Sequence, residues 1–257
     1  MTTIRLSNKL INLVIAGFVF IGLTYFVSAN SEQQTHLKTV TRDDIINVIN
    51  NTPEGEVPFL KETDFRGQDM SNIDFKAANL FGSRMKAANL SGSNFENSNM
   101  NVTILSKANL EDANLSNAEL YAVVILDANL KGANLSSSRL IANMEGSDLE
   151  GAILVNVRAG ANMKNQPMGL MRVLLKNVNL KDADMTSADI SVCDARFANF
   201  TEANLENANL SECDLRRANF TKANLTNANF TGARIGGAIF KDIIGEDSII
   251  GLDPKDS

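Results

Sequence analysis

The residues that could do chemistry are few. The 257-residue chain has one histidine, His36, and two cysteines, Cys193 and Cys213. A single imidazole has no convincing partner for a nucleophile–base–acid triad. No His, Cys and Asp group stands at metal-ligand spacing. Carboxylates are scattered singly, so no acid–base pair is set up for proton transfer. No glycine-rich phosphate loop follows a strand and opens a helix. These absences point away from an enzyme, and the sequence implies no cofactor and no metal. What remains is binding chemistry, carried by arginines 196, 216, 217 and 234 and by apolar side chains that break a polar pattern.

That pattern must position them. From about Thr63 to Phe240 the chain keeps a five-residue rhythm of the form A-[N/D]-[L/F]-x-x, repeated roughly three dozen times. Asn109-Leu110, Asn114-Leu115, Asn204-Leu205, Asn219-Phe220 and Asn229-Phe230 are examples, each preceded by alanine. A strict period of five fits neither the helix period of 3.6 nor the strand period of 2. A chain that turns two side chains inward and then bends, every five residues, closes one coil after four repeats. Successive coils then pair as parallel strands about 4.8 Å apart. Alanine and leucine fill the interior, and the Asn or Asp between them faces out and bonds nearby backbone.

This stretch resembles the pentapeptide-repeat family, over roughly 70% of the chain. The resemblance implies an all-β fold, a right-handed quadrilateral parallel β-helix with four repeats per coil. About nine coils at about 4.8 Å each would make a rod a little over 40 Å long. In columns of twenty, Leu180, Phe200, Phe220 and Phe240 stack on one inner face, as do Leu60, Leu80, Met100, Leu120 and Leu140. Cys193 and Cys213 fall one above the other at the small inward position. They either replace alanine as small buried residues or form a disulfide, for which Cβ atoms about 4.8 Å apart are wide of the usual 3.5–4.5 Å.

The flanks read differently. Residues 1–29 form a signal peptide or a membrane anchor. Arg5 and Lys9 precede an apolar run from Leu10 to Val27, and Val27-Ser28-Ala29 suits a signal peptidase. Either reading places the repeats outside the cytoplasm, in the periplasm or an equivalent lumen. Residues 30–59 make a connector and a capping helix over Thr41–Asn51, with Ile45, Val48 and Ile49 on one face and Asp44 completing a capping box with Thr41. A solenoid needs such a cap; a partner-binding helix is the other use of this segment. The repeats occupy 60–240, with a register break near 155–169 where Pro167 and Gly169 interrupt the rhythm. Residues 241–257 are a C-terminal cap and tail.

Two outward departures are candidate binding surfaces. Phe81, Val102, Ile104, Tyr121, Val124 and Ile141, with Asn101 among them, would line one contiguous apolar strip. Contiguous exposed apolar surface marks partner or dimer contacts, unless a local bulge or a folded-over helix hides it. Arg196, Phe197, Arg216, Arg217 and Arg234 would share one face. That face either grips an anionic partner, such as a lipid head group or polysaccharide, or is a solvated surface balanced by Asp194 and Asp214.

Charge weighs on the function. The chain carries a net −6, but residues 60–240 hold 18 Lys and Arg against 20 Asp and Glu, a balance of −2. The resemblance implies a non-catalytic scaffold that binds a protein or other partner through its outer faces, or that associates with itself. It also implies two alternatives that some family members follow: a DNA-mimicking topoisomerase-protection protein, or a secreted effector. The mimic works by acidic charge along the rod, so a nearly neutral rod disfavours it, and a nucleic-acid partner is disfavoured with it.

Overall fold

The structure, a computed structural model, describes residues 40–161 and 172–252. The segment read as a signal peptide or anchor (1–29), the connector with His36, the Pro167 interruption and the extreme C-terminal tail lie outside the described residues.

The described chain begins with helix α1, Arg42–Asn51. Thr41 caps it. The Thr41 Oγ1 accepts the Asp44 N–H at 3.2 Å, and Asp44 Oδ2 accepts the Thr41 N–H at 2.9 Å. Two N–H groups without intrahelical partners are thus satisfied reciprocally, and Asp43 and Asp44 complement the positive end of the helix dipole. Ile45 and Ile49 enter one apolar cluster with Leu60 and Phe65, joined by Val40. Val48 does not share their face: it is exposed.

From Phe59 onward every fifth residue bridges, in parallel, to the residue twenty ahead. Asp69, Asn89, Asn109 and Asn129 make one such column, and Asp74, Asn94, Asn114 and Asn134 another. Around each bridge the backbone bonds run both ways. Leu110 N–H donates to Asn129 O at 2.7 Å, and Asn129 N–H donates to Ala108 O at 3.0 Å. Between bridges the chain bends in four-residue turns, as where Ala113 N–H donates to Leu110 O at 3.0 Å. The third turn residue takes positive φ, for example 55° at Asp112 and 58° at Asn207, as a type II turn requires. The result is a parallel β-helix.

The side chains explain why Asn dominates the bridging position. Asn109 Oδ1 accepts the Glu111 N–H at 3.3 Å, closing the turn that follows it. The same oxygen accepts Asn129 Nδ2 at 2.9 Å, and Asn109 Nδ2 reaches Asn89 Oδ1 at 3.2 Å. One amide therefore stabilises its own turn and two neighbouring coils. Aspartate can only accept, so it starts a ladder. Asp69, Asp74, Asp148 and Asp189 accept from Asn89, Asn94, Asn179 and Asn209 respectively.

The interior is filled by the two inward positions. Phe200 and Phe220 stack with centroids 4.8 Å apart, and Phe220 and Phe240 at 5.1 Å. Leu80, Met100, Leu120 and Leu140 are buried in a different column, which the bridges continue through Ala159, Ile190, Leu210 and Phe230. The small position mostly holds Ala, Ser, Thr or Cys, with Ile73, Val123, Val157, Val173 and Val178 as larger occupants. At Ser93 a hydroxyl suits it: Oγ donates to Met70 O at 2.7 Å and accepts the Ile73 N–H at 3.2 Å. Ser98 and Ser138 are equally buried but their hydroxyls have no such partner among the described residues. A buried hydroxyl without a partner destabilises, whereas a bonded one contributes about 1 kcal/mol. Ser138→Ala is therefore expected to raise the denaturant midpoint or leave it unchanged, and Ser93→Ala to lower it by about 1–2 kcal/mol. Equal losses from both would show that the two sites do not differ.

Cys193 and Cys213 occupy the small position on consecutive coils and are joined in a disulfide, with Cα atoms 4.5 Å apart. The Cα separation falls within the range disulfides span, so stacked coils do not hold the pair too far apart. The Cys193 N–H also faces Cys213 Sγ at 3.1 Å, the same slot that Ser93 fills.

The register changes in two places, at the slip that the early arrival of Met144 and Leu149 marks in the sequence and again near the break expected over 155–169. Strands β1 (Glu119–Val124) and β2 (Arg139–Asn143) pair in parallel with a bulge between Tyr121 and Val123. Leu140 to Met144 spans four residues instead of five, and Ala122, at φ 57°, has no counterpart in β2. Bridges then run at nineteen-residue spacing, as from Asn134 to Ile153. Residues 155–159 are regular, and Arg158 still bridges to Asp189. The second change follows Ala161, since Asn143 bridges to Leu174 across 31 residues. The coil also outlasts Phe240: Asn224 bridges to Ile244 and Asn229 to Ile250.

Candidate functional site

Two bridge columns are dominated by Asn and Asp over most of their length, and a third, from Phe59 to Ile250, over half of it, with Glu119, Arg139 and Arg158 among its other members. The fourth is not. It reads Asp64, Arg84, Ile104, Val124, Asn143, Leu174, Asp194, Asp214, Arg234. Only Asn143 among these carries an amide, so no amide ladder runs along this column. Both groups of candidate residues border this column. The apolar residues lie on it or on the turn that precedes it, and Arg196, Phe197, Arg216 and Arg217 lie on the turn that follows it.

The apolar strip is smaller than the spacing predicts. Val124 and Ile141 are 6% exposed each, and only Val102, at 38%, is fully on the surface. Phe81, Ile104 and Tyr121 are half-buried. The missing turn residue in β2 is the reason: without that bend Ile141 continues as strand and pairs with Tyr121, and Val124 pairs with Asn143. Neighbouring cations cover what remains. Arg139 lies over the Tyr121 ring at 4.7 Å, and Lys61 Nζ over Phe81 at 5.3 Å. The six side chains do not form one open apolar patch.

The arginine face is assembled as predicted. Asp194 and Asp214 sit on consecutive coils, and each grips the arginine two residues on. Arg196 Nε and Nη2 donate to Asp194 at 2.8 and 2.7 Å, and Arg216 does the same to Asp214 at 2.8 and 2.7 Å. Arg196 and Arg234 each approach Asp214 Oδ2 at 3.9 Å. Arg217 lies over the ring of Phe197 at 5.6 Å, and that ring is 45% exposed. Arg196, Phe197, Arg216, Arg217 and Gly236 line a hollow of about 360 Å³. The spacing missed two contributors. Gly236 stands where the two coils before it carry Arg216 and Arg196. The Asp-x-Arg unit also recurs at the other end of the column, where Arg66 grips Asp64 at 2.6 Å. Its three copies in the sequence are the signal that could have found it.

The charges are mutually supporting. Burial works against ionisation of Asp194, but the Arg196 guanidinium and backbone N–H outweigh it and hold the carboxyl below its usual value of 3.8. The hydrogen bond from Arg216 holds Asp214 low against a smaller cost of burial. Both carboxyls therefore titrate below their unfolded values. The stability they supply is complete above about pH 4 and is lost as pH falls through the lower folded values. The double variant Asp194→Asn/Asp214→Asn is expected to lose less stability than the parent between about pH 4 and pH 2. Parallel pH profiles of the denaturant midpoint would contradict this.

Among the described residues, no helix is long and apolar enough to cross a membrane. A family model described as pentapeptide repeats matches residues 60–97, 103–140 and 198–237, in eight copies. No curated protein matches the chain. Among solved structures, it is similar to HetL from the cyanobacterium Nostoc sp. strain PCC 7120, a pentapeptide repeat protein involved in heterocyst differentiation regulation. The identity is 26% over 80% of this chain and 94% of that one, with a TM-score of 0.38. It is similar to QnrB1, a plasmid-mediated fluoroquinolone resistance protein, at 16% identity over 72% of this chain and 87% of that one, with a TM-score of 0.38. A pentapeptide repeat protein of the Arabidopsis thaliana thylakoid lumen matches at 21% identity over 74% and 72% of the two chains, with a TM-score of 0.11. Likeness at these scores carries nothing about partners or activity. The repeat itself does the identifying: with eight copies matched and the same parallel bridging at every fifth residue continuing among the described residues between them, the chain belongs to the pentapeptide-repeat family.

Proposed function

We propose that the protein is a non-catalytic, exported scaffold whose right-handed quadrilateral β-helix presents one side to a partner. The observation that carries this reading is the bridge column with one amide among nine positions, bordered by the arginine face. A solenoid filled by its own side chains offers only its outer surface for recognition. Two of its columns, and the later coils of a third, are spent on amide bonds between coils. The fourth leaves guanidinium groups and an aromatic ring at the surface, the residue types that dominate binding energy at interfaces.

Export rests on the basic start and apolar run of residues 1–29, with residues 30–59 as connector and cap and 60–240 as the repeat domain. An anionic membrane surface is a second occupant of the same cations. The near-neutral repeats weigh against the DNA-mimicking role. Cell fractionation with mass spectrometry of the N-terminus tests the compartment: the tagged protein is expected outside the cytoplasm, and a cytoplasmic pool with Met1 retained would contradict it. The binding role predicts that the chain purifies in a complex larger than its own 27.8 kDa. Arg217→Glu is expected to dissociate that complex without altering the melting curve, because Arg217 is exposed and its guanidinium lies over the exposed Phe197 ring. A complex unaffected by the substitution would move the interface elsewhere.

A further inference from the structure

The arginine hollow has a more specific chemistry than attraction of anions. Asp194 and Asp214 occupy the Nε–Nη2 edges of Arg196 and Arg216, which fixes both guanidinium planes. A guanidinium has five N–H donors, so the Nη1 edges remain for a ligand. Consecutive coils set these two edges about 4.8 Å apart, so two oxygens of one oxyanion can each meet one of them. Four guanidinium groups against two carboxylates leave a local charge of +2.

The floor of the hollow is Gly236. Its backbone does not require glycine, since its φ lies outside the left-handed region, and an added Cβ would meet Arg216 Cγ only at 3.9 Å. Glycine there leaves empty the place that an arginine fills on each of the two coils before it. The exposed Phe197 ring, with Arg217 across it, forms an apolar wall at the rim.

From this geometry we infer that the hollow binds a phosphate monoester dianion, with the Nη1 groups of Arg196 and Arg216 and the cations of Arg217 and Arg234 around the phosphate, and Phe197 against the esterified group. The inference rests on the arginine face being the binding side and names what that side recognises. Phosphate carries about two negative charges near neutral pH and three strong acceptor oxygens, which matches both the charge and the number of donors.

Calorimetric titration of the full chain with phenyl phosphate, inorganic phosphate and benzoate tests it. Phenyl phosphate is expected to bind saturably with a Kd of about 1 mM or tighter, inorganic phosphate more weakly, and benzoate not measurably. Gly236→Leu fills the hollow while keeping every arginine, and is expected to weaken phenyl phosphate binding by about tenfold or more. Arg216→Ala should do likewise, with circular dichroism confirming that it is folded. Vesicles distinguish the source. Retention on phosphatidic acid vesicles but not on phosphatidylcholine supports a lipid monoester, and binding of phenyl phosphate alone supports a soluble one. Equal affinity for benzoate, no binding of either phosphate, or binding unchanged in Gly236→Leu overturns the inference. A partner complex that still depends on Arg217 would then leave the scaffold reading standing.

Discussion

Phe220→Ala is expected to cost about 3–5 kcal/mol of stability, the range for removing a buried aromatic ring. Phe220 is fully buried and lies at the centre of an aromatic group. It stacks on Phe200 at 4.8 Å and Phe240 at 5.1 Å, and Phe230 packs against it in a T-shaped pair at 5.6 Å. The interior between consecutive coils is closed on all sides by hydrogen-bonded backbone, so the walls cannot collapse into the cavity. Phe240 is only half-buried, so Phe240→Ala should cost about half as much. Because each coil contacts only its neighbours, the loss should open the last coils before the rest. Denaturant titration reads the total, and hydrogen exchange reads the location. Equal costs at the two positions, or exchange accelerated uniformly along the chain, would contradict the stacked arrangement.

Removal of the disulfide is the second large effect. Cys193 and Cys213 close a loop across one coil, with a sequence separation of 20. Restricting an unfolded loop of that length stabilises the fold by about 3 kcal/mol in the chain-entropy account. The double variant Cys193→Ala/Cys213→Ala isolates this contribution, because alanine already occupies the same inward position at Ala203, Ala208 and Ala223. The variant should remain folded and unfold at lower denaturant. The intact parent should resist reductant until it is unfolded, since both side chains are fully buried. Thiol-specific labelling of the native parent, or equal midpoints for parent and variant, would show that the link is not formed in the folded protein.

Much of this was legible in the sequence because the repeat imposes one local geometry many times. Inward and outward positions, the aromatic column, the Cys193–Cys213 stack and the grouping of Arg196, Phe197, Arg216 and Arg217 all follow from counting by twenty. Deviations of one residue were harder. The missing turn residue between Leu140 and Met144 is visible as a phase slip. Its consequence, burial of Ile141 and Val124, depends on whether the chain bulges or bends, which spacing alone does not decide. The disulfide was obscured by assuming coils stacked at a uniform distance. Val48 was assigned to the buried face of α1 from periodicity, whereas the end of the coil accommodates only Ile45 and Ile49 at full burial. Gly236 carried no signal of its own, since a glycine near a turn is ordinarily read as a turn requirement.

The same counting shows that the two candidate surfaces border one column. Arg84, Ile104, Val124, Leu174 and Arg234 stand in place of Asn or Asp there, and Asn143 is the one amide among its nine positions. Four exposed residues of one coil, Phe197, Glu202, Asn207 and Glu212, stand five apart, at the same point of successive turns. A photocrosslinking amino acid placed at each in turn, in cells making the full chain, asks directly which side meets a partner. Adducts are expected from positions 197 and 212, which flank the column of Asp194 and Asp214, and not from 202 and 207. Adducts from 202 and 207, from all four alike, or from none would contradict a single binding side.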